Sequence, residues 1–178
     1  MKPTTVKSTV GAIIVMLVIM MVFGGMATAK SASKSDANIQ LVRKHHEEVW
    51  SKGNLAVADK IYSSEIVRHS ADQPDTQGRD PYKQFMMGTR GAFPDWKETV
   101  ENVIASGDLV ATKLTIAGTM TGKLQGPEGT LPPTGKRLEV PCAAFFRIAE
   151  GKIAEIWVYY DSVPFLKALG VLPPPPPK

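Results

Sequence analysis

The sequence predicts an α+β fold in which helices pack on one curved antiparallel sheet. Three observations carry this. In the first half, apolar residues recur at helical spacing from Ile39 onward. From Trp96 onward, apolar and polar residues alternate. Gly107-Asp108 and Glu150-Gly151 interrupt the alternation as hairpin turns. A chain of 178 residues, 43% hydrophobic and 21% charged, has room for one ordinary domain and is not disordered throughout. The net charge of +4 is too small and too scattered to suggest a nucleic-acid surface. The single cysteine, Cys142, excludes an intrachain disulfide framework and a cysteine-based zinc cluster. Three histidines leave few residues for a metal site, and none is expected.

The first segment reads as an address rather than as structure. Lys2 and Lys7 precede an apolar run from Val10 to Phe23, and Ala27-Thr28-Ala29 supplies a small-x-small cleavage pattern. Residues 1–29 are therefore expected to be a signal peptide, leaving a secreted or periplasmic protein that begins at Lys30 and no longer touches a membrane. The apolar run is shorter than the roughly 20 residues of a spanning helix. An uncleaved N-terminal anchor is the alternative, because no charge falls between Lys7 and Lys30. Residues 30–35 are a polar lead-in, 36–172 the domain, and 173–178 a polyproline tail that cannot join a core.

Within the domain, Asp36 can cap a helix whose inward positions are Ile39, Val42, His46, Val49 and Trp50, with Arg43, Lys44, Glu47 and Glu48 outward. Gly53 ends it, and Asn54 can cap a second helix, Leu55 to Tyr62. Ile66 to His69 reads as a short strand, and 70–81 as a loop. Asp80-Pro81 starts a third helix with Pro at the first helical position, carrying Tyr82, Phe85 and Met86. Phe93-Pro94-Asp95 breaks that helix, and Arg90 and Asp95 fix the corner. Two strands follow, Trp96 to Ala105 and Asp108 to Thr121, then a Gly/Pro-rich loop from Gly122 to Gly135. Arg137 to Ala149 and Lys152 to Tyr160 form the last hairpin, and Pro164 to Leu169 a closing helix.

Five segments carry a resemblance: LVRKHHEEVWSKGNLAVADKIYSSEIVRHS, GRDPYKQFMMGTRGAFPDW, GDLVATKLTIAGTMTGKLQG, PPTGKRLEV and FFRIAEGKIAEIWVYYDSVPFLKALG. In order and spacing, from about Leu41 to Leu172, they resemble the SnoaL-like polyketide cyclase, or ester cyclase, family of the nuclear transport factor 2-like superfamily. The resemblance implies a cone-shaped, strongly curved sheet wrapped by about three helices around a deep pocket. It also implies aldol ring closure on polyketide-derived esters, without metal or cofactor, and pairing of copies into a homo-oligomer. Such chemistry removes a proton from carbon, stabilises an enolate and protonates a carbonyl oxygen.

This chain departs from the family pattern. Relatives usually carry a polar Asp or His at the place of Ala144, and His-Trp-Asp where Ile156-Trp157-Val158 stands here. Residues 156, 158 and 160 share one strand face, which the resemblance makes the pocket face. By the same resemblance His69 matches a pocket-lining histidine, with a sheet-edge hydrogen bond as the alternative. Asp161 matches an acidic position and is the candidate remaining carboxylate, or else a cap for the closing helix. Trp50, Phe85, Ala144, Ile156, Val158 and Tyr160 are the candidate walls for a small hydrophobic molecule. Trp50, Phe85, Phe145 and Trp157 also read as core. His45 and His46, adjacent on a helix, point apart and do not suit one metal ion. Cys142 reads as a buried, inert thiol. Two functions stay open: a cofactor-free cyclase acting on a hydrophobic carbonyl compound, with reduced catalysis, or a non-catalytic binding protein for an apolar molecule. An epoxide hydrolase or ketosteroid isomerase is a weaker third.

Overall fold

The computed structural model describes residues 34–170, apart from 72, 127 and 128, together with Leu172. The expected signal peptide, residues 30–33 of the lead-in and the polyproline tail lie outside the described residues. Among the described residues, no helix is long and apolar enough to cross a membrane.

Helix α1 covers residues 34–51, and its last segment, His45–Ser51, is π-helical. Asp36 stands inside this helix and does not start it. Gly53 then reverses the chain at φ 72°, a left-handed conformation that favours glycine, with the Arg90 side chain packed close over it. Helix α2 (Leu55–Ile61) follows, with Asn54 at its N-cap position but no side-chain capping bond. Helix α3 (Arg79–Ala92) begins two residues earlier than the Asp80-Pro81 signal placed it, because Gly78 (φ 90°) already makes the turn. Helix α4 (Ser162–Leu169) closes the domain.

The strands are β1 (Tyr62–Ser70), β2 (Gln73–Gln77), β3 (Lys97–Ser106), β4 (Leu109–Thr119), β5 (Leu124–Gly126), β6 (Gly129–Leu131), β7 (Arg137–Ala149) and β8 (Lys152–Tyr160). Six form one sheet in the order β2-β1-β8-β7-β4-β3. Neighbours are antiparallel except β1 and β8, which run parallel. Two expected loops contain strands. Residues 73–77, QPDTQ, form the edge strand; a polar edge with a proline lacks the apolar alternation that marks a half-buried strand. Residues 124–131 hold the small β5–β6 hairpin. Beside it, Gly122 lies so close to Gly91 that a Cβ would meet the Gly91 carbonyl, while its N–H donates to Ala92 O (3.0 Å).

Alternation divides the main sheet into two faces. Arg68, Val110, Thr112, Leu114, Leu138, Val140, Cys142, Ala144, Phe146 and Ile156 lie inside, against Val42, Val49, Tyr62, Tyr82 and Met86. The opposite face is partly apolar and uncovered: Phe145 is 45% and Tyr159 52% exposed, with their rings edge to face.

Candidate functional site

The interior under the helices is polar at its centre. The π-helical segment widens α1 where His45 and His46 stand, and both imidazoles are buried with ring centroids 4.7 Å apart. His46 Nδ1 meets Glu98 Oε2 of β3 at 2.6 Å. Trp96 Nε1 donates to Glu98 Oε1 (3.2 Å), fixing the carboxylate from its other side. His46 Nε2 faces Thr112 Oγ1 of β4 at 3.4 Å, and that hydroxyl also reaches Ala144 O at 3.4 Å. His45 Nδ1 is 2.8 Å from the Tyr62 hydroxyl. Tyr82 accepts from Trp50 Nε1 at 3.2 Å, and its ring lies 5.3 Å from that of Tyr62.

Burial governs the protonation of His45 and the two tyrosines. Desolvation, then the charges of His46 and Arg68, hold the His45 pKa well below the ordinary imidazole value, so it is neutral. Desolvation also raises the pKa of both tyrosines, which stay protonated donors. It pushes the Cys142 thiol up to about 12, leaving it inert as its burial implies.

Arg68 enters the same space from β1. It is only 5% exposed, its guanidinium carbon lies 4.5 Å from the centre of the Phe85 ring, and its Nη1 has no hydrogen-bond partner.

The residues singled out from sequence fall into separate places. Ala144, Ile156 and Val158 stand on the helix-covered side; Ala144 pairs with Val158 and with Thr112, and Ile156 with Arg68. Tyr160 is half-buried against Phe165 of α4. Trp50 and Phe85 are neighbours, 6.1 Å between rings, within the aromatic group of Tyr82 and Trp96. His69 does not join them. Strand parity sends Arg68 inward and His69 outward, where it stacks on Trp157 and bridges Asp75 (Nδ1, 2.9 Å) and Glu155 (Nε2, 3.0 Å). Burial works to lower its pKa, but the hydrogen bonds to Glu155 and Asp75 outweigh that and hold it above the usual value. Asp161 is also outside the cluster: exposed, it accepts Val163 N–H at 2.9 Å and caps α4. Phe145 and Trp157, read as core, lie on the outer face, Phe145 opposite Trp157 in register.

Sequence reasoning missed Arg68, Glu98, His45, Tyr62 and Tyr82 as a group. The signal available was parity: if the β1 position 66 is buried, 68 shares its face. The adjacent histidines, expected to diverge, converge with Glu98 so that one ligand atom from each lies within 4.8 Å of the others. Among the described residues, these three are the ones that could hold a metal ion. The charge of Arg68, which already disfavours protonation of His45, opposes a divalent cation there, and both Glu98 oxygens are engaged by His46 and Trp96. The donor set suits proton transfer better.

The Glu98 carboxylate holds one nitrogen of the His46 imidazole and leaves the other facing Thr112 Oγ1, a buried arrangement suited to passing a proton. Cavities border the fold among the described residues. One, about 210 Å³, is lined by His69, Ser70, Ala71, Val158 and Tyr159, at the strand ends one inward position beyond Arg68 and Ile156. Another, about 560 Å³, is a charged groove between α1 and α2.

Over residues 40–169 the sequence matches the family model of the SnoaL-like polyketide cyclases, and the chain belongs to that family. A structure from Jannaschia sp. CCS1, described as a SnoaL-like polyketide cyclase, is 23% identical with a TM-score of 0.70, covering 78% of this chain and 95% of that one. AclR from Streptomyces galilaeus, described as a hydroxylase, is 30% identical with a TM-score of 0.65, covering 78% and 84%. IdmH from Streptomyces antibioticus, described as a polyketide cyclase, is 28% identical with a TM-score of 0.62, covering 75% and 98%. Among curated proteins, none matches the chain.

Proposed function

We propose that this family member performs cofactor-free acid/base chemistry on a small hydrophobic carbonyl compound, with His46 and Glu98 in place of carboxyl groups on the last strand. The observation that carries the reading is the buried 2.6 Å pair of His46 Nδ1 and Glu98 Oε2, braced by Trp96. With Nδ1–H donated to the carboxylate, His46 Nε2 takes a proton from the carbon next to a substrate carbonyl. The enolate carbon attacks a second carbonyl carbon, and the imidazolium returns the proton to the new alkoxide. One C–H bond and the C=O π bond of the attacked carbonyl break, one C–C and one O–H bond form, and no redox partner is needed. Tyr62 and Tyr82, kept protonated by burial, are donors for the oxygens that gain charge. His46 is 1% exposed, so turnover requires the interior to open.

The second reading is a non-catalytic binding protein for an apolar molecule; the apolar wall of Ala144, Ile156 and Val158 favours it. Mass spectrometry of molecules co-purifying with the mature protein separates the two. Conversion of the captured compound to an isomer supports the enzyme, and release unchanged supports the binder. The site operates, on this reading, in an exported homo-oligomer with residues 1–29 removed. N-terminal sequencing from the exporting host should begin near Lys30; intact Met1 in the membrane fraction would point to an anchor instead.

A further inference from the structure

A buried guanidinium with an unmet donor is costly unless something completes it. Transfer of a charged group from water to protein interior carries a penalty of several kcal/mol, offset only by pairing and hydrogen bonding. Among the described residues Arg68 has no ion pair, and its Nη1 has no hydrogen-bond partner. Its compensation is the Phe85 ring at 4.5 Å, a contact that leaves the in-plane N–H groups of Nη1 unanswered. The chain could have satisfied it: Glu98 is in the same interior and acts on the same tyrosine, Tyr82, as Arg68 does, yet its two oxygens are committed to His46 and Trp96. Arg68 is therefore a held, desolvated cation in the same interior as the Tyr82 hydroxyl, with the Phe85 ring against it and Nη1 unpartnered.

We propose that Arg68 is the anchor of an anionic-oxygen subsite, so that the ligand of this interior presents a carboxylate or enolate oxygen to Nη1. The cavity of about 210 Å³ at Ser70 and Val158 lies one inward position along the same pair of strands, since Ser70 pairs with Val158 and Arg68 with Ile156. Arg68 does not line that cavity, so a ligand's charged end entering there reaches it only as the interior opens. The cavity's size suits a single-ring compound, smaller than the usual 300–1,000 Å³ ligand site. An anion complements the surroundings of Arg68, whereas a cation would meet repulsion from it. The proposal deepens the reading of the site given above by naming its substrate class, and the carboxylate arm of its test does not need turnover.

The test uses the mature protein and two matched pairs, benzoate with benzamide and phenylacetate with phenylacetamide. Trp50, beside Phe85, reports by fluorescence, and thermal unfolding gives a second readout. A charge-assisted hydrogen bond in place of a neutral one should favour the acids by about 10- to 100-fold. In Arg68→Met the preference should vanish, while the melting temperature holds or rises because an unpaired buried charge has been removed. Arg68→Lys should keep part of the preference. If Arg68→Met does not fold, the wild-type comparison of acid and amide decides alone. A further arm separates an anion carried in from one generated inside. Benzoylacetone, offered neutral, gains near-ultraviolet enolate absorbance on binding if its proton passes to the His46–Glu98 pair while the oxygen sits at Arg68. Carboxylate preference without enolate formation upholds the anionic subsite and counts against the proton-transfer reading. Equal affinities for acid and amide, or failure of both acids to bind, overturn the proposal.

Discussion

At the scale of single residues, the interior depends on groups whose charge is set by burial. His45 is the clearest case. Desolvation, then His46 and Arg68, keep its pKa well below 6.5 in the fold, while the unfolded chain takes up a proton near that value. Its contribution is complete above about pH 6.5 and declines as pH falls, by up to about 1.4 kcal/mol per pH unit. His69 has the opposite sign. Its folded pKa is raised, so its contribution is complete below pH 6.5 and is lost as pH rises through the folded value. Urea midpoints from pH 5 to 8 should therefore lose their acid-side decline in His45→Gln and their alkaline-side decline in His69→Asn. An unchanged profile in His45→Gln would mean that this imidazole is not held neutral. Apolar spacing along α1 was enough to place His46, Val49 and Trp50 inward, because amphipathic periodicity survives without knowledge of the rest of the fold. Choosing between Arg68 and His69 was not settled that way. A family position suggested the histidine, and strand parity awards the interior to the arginine, a residue type that burial normally excludes.

At the scale of elements, the hairpins β3–β4 and β7–β8 were legible to within a residue or two, because period-two alternation ends at glycine turns. The edge strand β2 was not, since an edge has only one hydrogen-bonding partner and little apolar surface to mark it. Nor was the π-helical segment of α1, which arises from tertiary packing around His45, His46 and Trp50 and has no composition of its own. Asp161 illustrates how an element can claim a residue that chemistry might have used. It accepts Val163 N–H and starts α4. Asp161→Ala should lower stability by about 1 kcal/mol through loss of the cap. Activity at saturating substrate should stay within a few-fold of wild type. A loss approaching that expected of an acid/base group would restore Asp161 to the site.

At the scale of the whole molecule, one sheet serves two surfaces. Its inner face holds the polar cluster under the helices. Its outer face leaves Phe145 and Tyr159 about half exposed, beside Trp157 and Leu109. Covering such a patch with a second copy is the expected use of that face, and light scattering of the mature protein at micromolar concentration should give at least a dimer. Phe145→Lys should shift it towards monomer; a strictly monomeric wild type would contradict the arrangement. On the inner face, the proposed proton transfer from carbon depends on the His46–Glu98 pair. Deuterium uptake from D₂O at the benzylic methylene of phenylacetone, followed by proton NMR, measures that step without knowledge of the natural substrate. The wild-type protein should accelerate exchange over buffer, and Glu98→Gln should lose about 10²- to 10⁴-fold of that acceleration while remaining folded. Exchange at the buffer rate in wild type, or equal rates in wild type and Glu98→Gln, would contradict it.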